Sequence, residues 1–163
     1  MKNTLKNFFY KKSNTTIEYI SENVNDTINF ASNFASFLNI GDIVVLSGEL
    51  GAGKTVFMSG IAKYFDISNQ VSSPTFTIVN EYLAIKDKKQ INIYHFDVYR
   101  INNGFQFIEQ IGTDYFDNGI CIIEWGKNIE NILPKNTIYI DITKDSVNEN
   151  IRYFKIYHKK EGF

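Results

Sequence analysis

The sequence has one cysteine, Cys121, two arginines, Arg100 and Arg152, and two prolines, Pro74 and Pro134. A lone cysteine excludes an internal disulfide and fits a reducing compartment, so the expected location is the cytoplasm. The other 15 of the 17 basic residues are lysines. Arginine is the preferred clamp for phosphate charge because its planar fork donates in pairs, so few arginines limit the phosphate chemistry this chain can do alone. There is no basic excess: the formal net charge is -1, which argues against a stand-alone nucleic-acid binder. No apolar run approaches the ~18 residues a membrane helix needs. Residues 1–13 are rich in Lys, Asn and Phe without a long apolar core, which argues against a secretory signal. Internal repeats and linker-like breaks are absent as well. What is present is ordinary globular composition, 44% hydrophobic and 21% charged over 163 residues, sufficient for one domain with a real core.

Residues 1–13 read as a solvated N-terminal tail with no assigned role, followed by a single domain over 14–160. Thr15 to Ile20 is short and β-prone, and Ser21 is the expected helix N-cap. Val24, Ile28, Ala31, Ala35 and Leu38 fall at helical spacing, widened by Phe30, Phe34 and Phe37. Ile43-Val44-Val45-Leu46 has the form of a strand buried on both faces. Thr75 to Ile85 and Ile91 to Tyr99 are β-rich runs around a polar turn, a predicted hairpin. Phe105 to Phe116 is predicted helical, Ile120 to Ile123 is a second apolar strand, and Asn128 to Leu133 a short helix before Pro134. Thr137 to Thr143 and Ile151 to His158 are terminal strands. The alternation predicts an α/β fold.

Gly48-Glu49-Leu50-Gly51-Ala52-Gly53-Lys54-Thr55 matches G-x-x-x-x-G-K-[ST] between a buried strand and a helix. Glycines let the backbone wrap so that several N–H groups meet one phosphate chain, and the following helix adds its positive end. In such a loop Lys54 would reach the β- and γ-phosphates, and Thr55 would offer its hydroxyl to Mg²⁺. Two acids compete for the metal. Glu124 ends the apolar run Ile120-Cys121-Ile122-Ile123, at a strand end where α/β ligands bind. Asp97 follows His95 and precedes Tyr99 at alternate positions, which share one face of a strand. Thr143-Lys144-Asp145-Ser146 misses the guanine-reading pattern by one position, so adenine is favoured.

Four segments in order then carry a resemblance: Gly48–Thr55, Ser73-Pro74-Thr75-Phe76-Thr77-Ile78-Val79-Asn80-Glu81-Tyr82, Tyr94-His95-Phe96-Asp97-Val98-Tyr99-Arg100, and Ile123-Glu124-Trp125. Together they resemble the TsaE (YjeE) family, small bacterial P-loop ATPases needed for threonylcarbamoyladenosine in tRNA. The resemblance implies a single-domain P-loop NTPase, a central, mostly parallel sheet flanked by helices with antiparallel hairpin strands added. It implies ATP and Mg²⁺, with the nucleotide held by Glu49, Leu50, Gly51, Ala52, Gly53, Lys54, Thr55, Val56 and Trp125. It also implies Thr55 and Glu124 as metal ligands, and Lys54, Asp97 and Glu124 as the catalytic set. Ser73-Pro74-Thr75 looks like a switch segment, with His95 and Arg100 as further switch or partner-coupling candidates. TsaD and TsaB are the implied partners, and tRNA would be met only through them. Val56 stands where the family often has a second hydroxyl residue, and Gly126 where it often has proline.

The leading expectation is an accessory ATPase, weak without its partners. A small-molecule or nucleotide kinase is the alternative, though no lid-length insertion is visible. A tRNA-binding module is opposed by the charge. Arg100 is open to two readings, γ-phosphate charge stabilisation or a structural or partner-facing ion pair, with the second favoured.

Overall fold

The computed structural model describes residues 1–11, 16–67 and 71–159. The described strands are β1 (Ile17–Ser21), β2 (Ile43–Ser47), β3 (Val79–Lys86), β4 (Lys89–Asp97), β5 (Gly119–Glu124), β6 (Ile138–Lys144) and β7 (Arg152–His158). They form one sheet in the order β1-β7-β6-β2-β5-β4-β3. The four central strands run parallel, β6 to β2 to β5 to β4. The flanks are antiparallel: β3 on β4, and β7 between β6 and β1. The predicted architecture is therefore present, with the two fully apolar runs, β2 and β5, paired at its centre.

Burial on both faces explains those two runs, because helices cover each side. One face carries α1 (Lys2–Lys11), α2 (Val24–Ala35) and α3 (Lys54–Tyr64), packed with Val44, Leu46, Ile120, Ile122, Ile138 and Ile140. The other carries α4 (Gly104–Gln110), α5 (Tyr115–Asn118) and a 3₁₀ segment, Gly126–Ile132, packed with Val45, Phe96, Cys121 and Ile123.

Several expectations are corrected. The N-terminal segment is not a solvated tail over its described part: Leu5 and Phe8 are buried, Phe8 stacks on His158 at 4.6 Å, and Phe9 packs on Phe34 and Phe37. An amphipathic helix docks here onto a ready apolar surface, so α1 shares the domain's core. Lys12, Ser13 and Thr15 lie outside the described residues. The cap of α2 is Asn23, whose Oδ1 accepts the Asp26 N–H at 3.0 Å; Ser21 instead ends β1 and shares a hydrogen bond with Thr27. Thr75–Thr77 is a turn rather than strand, closed by the Ile78 N–H on the Pro74 carbonyl, with Ile78 at φ +67°. The run from Phe105 to Phe116 divides at Gly112 into α4 and α5.

Candidate functional site at the C-terminal ends of the central strands

The loop between β2 and α3 turns over the C-terminal edge of the sheet. Gly53 caps α3 at φ +114°, and Gly51 sits at φ +74°, conformations that cost a side chain dearly and glycine little. Lys54 opens α3 and is buried. Its Nζ donates to the carbonyls of Gly48 at 2.8 Å and Glu49 at 3.1 Å, and lies 4.9 Å from the Trp125 ring. Lysine is thus held at the loop's centre by backbone acceptors of the same loop.

The two acids stand side by side because β4 and β5 pair in parallel with Asp97 opposite Glu124. Alternation places His95, Asp97 and Glu124 on the sheet face that also bears Ile93 and Ile122, the face covered by α3. Both acids are buried, at 7% and 3% exposure, so neither is a surface strand-end carboxylate. Asp97 accepts the Ser73 hydroxyl at 2.9 Å and the Thr75 hydroxyl at 3.2 Å on Oδ2, and the Tyr99 N–H at 3.0 Å on Oδ1. The expected switch segment is therefore tied to Asp97 by two hydroxyls. Glu124 Oε1 is 2.9 Å from His95 Nε2.

These groups line one cleft of about 540 Å³. From the predicted set it contains Leu50, Gly51, Gly53, Lys54, Thr55 and Val56 of the loop and helix, with Ser73, Thr75, Asp97, Glu124 and Trp125 opposite. Glu49 and Ala52 lie behind the loop instead, beside Ser47 and Lys127. Glu49 still meets the site through its carbonyl. Pro74 is buried and outside the lining. His95 is wholly buried and cannot touch a partner. Arg100 is exposed and not part of the lining, with its guanidinium 5.4 Å from the ring of exposed Phe76.

Tyr99, placed by alternation beside Asp97 but given no role from the sequence, lines the cleft; its ring packs edge-on against Trp125 at 5.0 Å. Trp125 itself has φ +63°, unusual for a bulky side chain and of a kind that collects at functional sites. A second unexpected group is Arg152, whose Nε donates to the Ala52 carbonyl at 2.8 Å across 100 positions of sequence. It fastens the outer side of the loop to the β6–β7 turn. That turn is organised by Asp145, whose carboxyl is held below its ordinary value by the Asn148 N–H, the Tyr153 hydroxyl and the Val147 N–H. The acid of Thr143-Lys144-Asp145-Ser146 is thus occupied by its own turn.

Among the described residues no group of three or more His, Cys, Asp or Glu could hold a metal by itself. The cleft offers a hydroxyl and two carboxylates, an all-oxygen set of hard donors. Mg²⁺ characteristically takes one or two carboxylates plus substrate phosphates rather than a protein cage, and these residues fit that mode. No described helix is long and apolar enough to cross a membrane.

Comparison with known proteins bears on the same residues. A family model described as "Threonylcarbamoyl adenosine biosynthesis protein TsaE" matches residues 21–152. The tRNA threonylcarbamoyladenosine biosynthesis protein TsaE of Bacillus subtilis is 38% identical over 130 residues, 78% of each chain. That of Treponema pallidum is 34% identical, covering 76% of this chain and 88% of the relative. That of Aquifex aeolicus is 37% identical over 87% of this chain and 96% of its own. A crystal structure of Bacillus subtilis YdiB superposes with a TM-score of 0.70 at 30% identity, covering 88% of this chain and 86% of that one.

Proposed function

The chain belongs to the TsaE family of threonylcarbamoyl adenosine biosynthesis proteins, and from that premise we propose that it is a Mg²⁺-dependent P-loop ATPase serving tRNA modification with TsaB and TsaD. The observation that carries this reading is the convergence of Lys54, Thr55, Asp97 and Glu124 in one cleft at the strand ends. Backbone N–H groups at the start of α3 would receive the phosphate chain, and Lys54 would exchange its backbone acceptors for phosphate oxygens. Thr55 and Glu124 would hold Mg²⁺, which supplies charge neutralisation between the β- and γ-phosphates. Asp97, tied to Ser73 and Thr75, would relay the state of the γ-phosphate to the switch segment. ATP rather than GTP is supported by the engagement of Asp145 in its own turn.

Weak turnover by the isolated chain follows from where its two arginines are used. Arg152 holds a loop carbonyl and Arg100 stacks on Phe76, so neither lines the cleft. P-loop switches without an arginine at the developing charge hydrolyse slowly, on the order of 10⁻⁴ s⁻¹. TsaB and TsaD would supply what is missing, tRNA would be engaged through them, and the work would be cytoplasmic.

The test is titration of ATP with Mg²⁺, read by emission of the single tryptophan, Trp125, then hydrolysis with and without TsaB and TsaD. Binding, a slow basal rate and stimulation by the partners are expected. Lys54→Ala should abolish binding or hydrolysis, and Glu124→Ala should weaken hydrolysis more than binding. Unchanged hydrolysis in Glu124→Ala would move the metal role to Asp97. Turnover of tens per second by the chain alone, with no gain from partners, would refute the reading.

A further inference from the structure

His95 has no exposure, and it pairs with Asn80 of β3 on one side and Ile122 of β5 on the other. Its Nε2 lies 2.9 Å from Glu124 Oε1, while Nδ1 is buried with no hydrogen-bond partner. A carboxylate oxygen accepts, so Nε2 is the ring nitrogen that donates to it. The ring cannot turn away without leaving that N–H unsatisfied in the core, which is costly. One oxygen of Glu124 is therefore claimed by a rigid donor, and Oε2 has no protein partner among the described residues.

We propose that His95 is a positioning residue that presents Glu124 to a metal through one oxygen, and thereby makes the cleft select Mg²⁺ over Ca²⁺. This rests on the reading of Glu124 as a metal ligand. The chemistry of the two ions supplies the selectivity. Mg²⁺ demands near-octahedral geometry at 2.0–2.1 Å and is satisfied by single carboxylate oxygens. Ca²⁺ takes six to eight oxygens at 2.3–2.6 Å and gains from bidentate carboxylates. Bidentate engagement of Glu124 would have to compete at Oε1 with the rigid N–H of His95, whereas engagement through Oε2 alone would not. Asp97 is poorly placed to engage a metal through both oxygens, because its Oδ2 already accepts two hydroxyls and its Oδ1 a backbone N–H.

The experiment compares the full chain with His95→Phe and His95→Gln. ATP affinity is measured by Trp125 emission while Mg²⁺ or Ca²⁺ is titrated, and again in EDTA. The ratio of half-saturating Ca²⁺ to Mg²⁺ is expected to fall about tenfold in His95→Phe and to return toward the parent value in His95→Gln, whose amide can donate. Affinity in EDTA should be alike in all three, since the metal-free contacts do not involve His95. A merely structural role would not move an ion ratio. If His95→Phe fails to fold, His95→Asn, too short to reach Oε1, carries the same expectation. An unchanged ratio in a folded variant overturns the inference and leaves the ATPase reading standing. A parent chain whose ATP binding ignores both ions overturns both.

Discussion

Substituting Gly60 by alanine sets two physical effects of opposite sign against each other. Gly60 lies inside α3, where helix propensity alone favours alanine by about 1 kcal/mol. Yet an added Cβ would sit 2.5 Å from the Ala31 Cβ and 2.5 Å from the Ile28 carbonyl oxygen, both on α2. The oxygen belongs to the backbone and cannot swing aside, so the helices must part. Overpacking of this kind typically costs 1–3 kcal/mol, and a clash with backbone puts the cost near ~3. The net expectation is a loss of ~2 kcal/mol. With a urea slope of about 2 kcal/mol/M, the midpoint should fall by about 1 M with the slope unchanged. Equilibrium urea unfolding followed by far-UV circular dichroism measures this directly. Adding Ala31→Gly, which removes one contact and leaves the other, should cost less in the Gly60→Ala background than it does alone, so the two losses should fall short of additive. A midpoint that rises or stays put in Gly60→Ala would refute the close crossing of α2 and α3. Propensity would then have won.

Phe8→Ala should cost about 2–3 kcal/mol in the same assay, less than a central core truncation because α1 can undock without unfolding the sheet. A loss under about 0.5 kcal/mol would mean that α1 contributes nothing to the core. Cys121, in the middle of β5, has its thiol pushed up to about 12 by burial. It should resist alkylation by iodoacetamide at pH 8 and react fully in denaturant; prompt labelling of native protein would contradict its placement.

The centre of the fold was legible because its signals are local. Two apolar runs announced β2 and β5, and the glycine-lysine spacing announced the loop between β2 and α3. Glu124 could be found from the apolar residues before it. Other features had no local signal. The Arg152 bond to Ala52 depends on the β6–β7 turn folding back onto the loop. The identity of Glu124's neighbour depended on the register that sets His95 against Ile122 and Asp97 against Glu124. Helix α1 is hidden in the sequence for a different reason. Its apolar residues are few and polar ones surround them, so the segment reads as solvated until Phe34, Phe37 and His158 are known to lie beneath it. The turn at Thr75–Ile78 was hidden by β-prone residues that the positive φ of Ile78 prevents from continuing a strand.

The stack of Phe8 on His158 has a practical consequence. His158 pairs with Ile138, at the start of β6, whereas the cleft opens where the parallel strands end. Helix α1 thus rests at the opposite end of the parallel strands from the cleft. A dye or surface tether joined at exposed Lys2 would leave the cleft facing solution. The chain could be immobilised there and the proposed ligands passed over it in turn, with the cleft pointing outward.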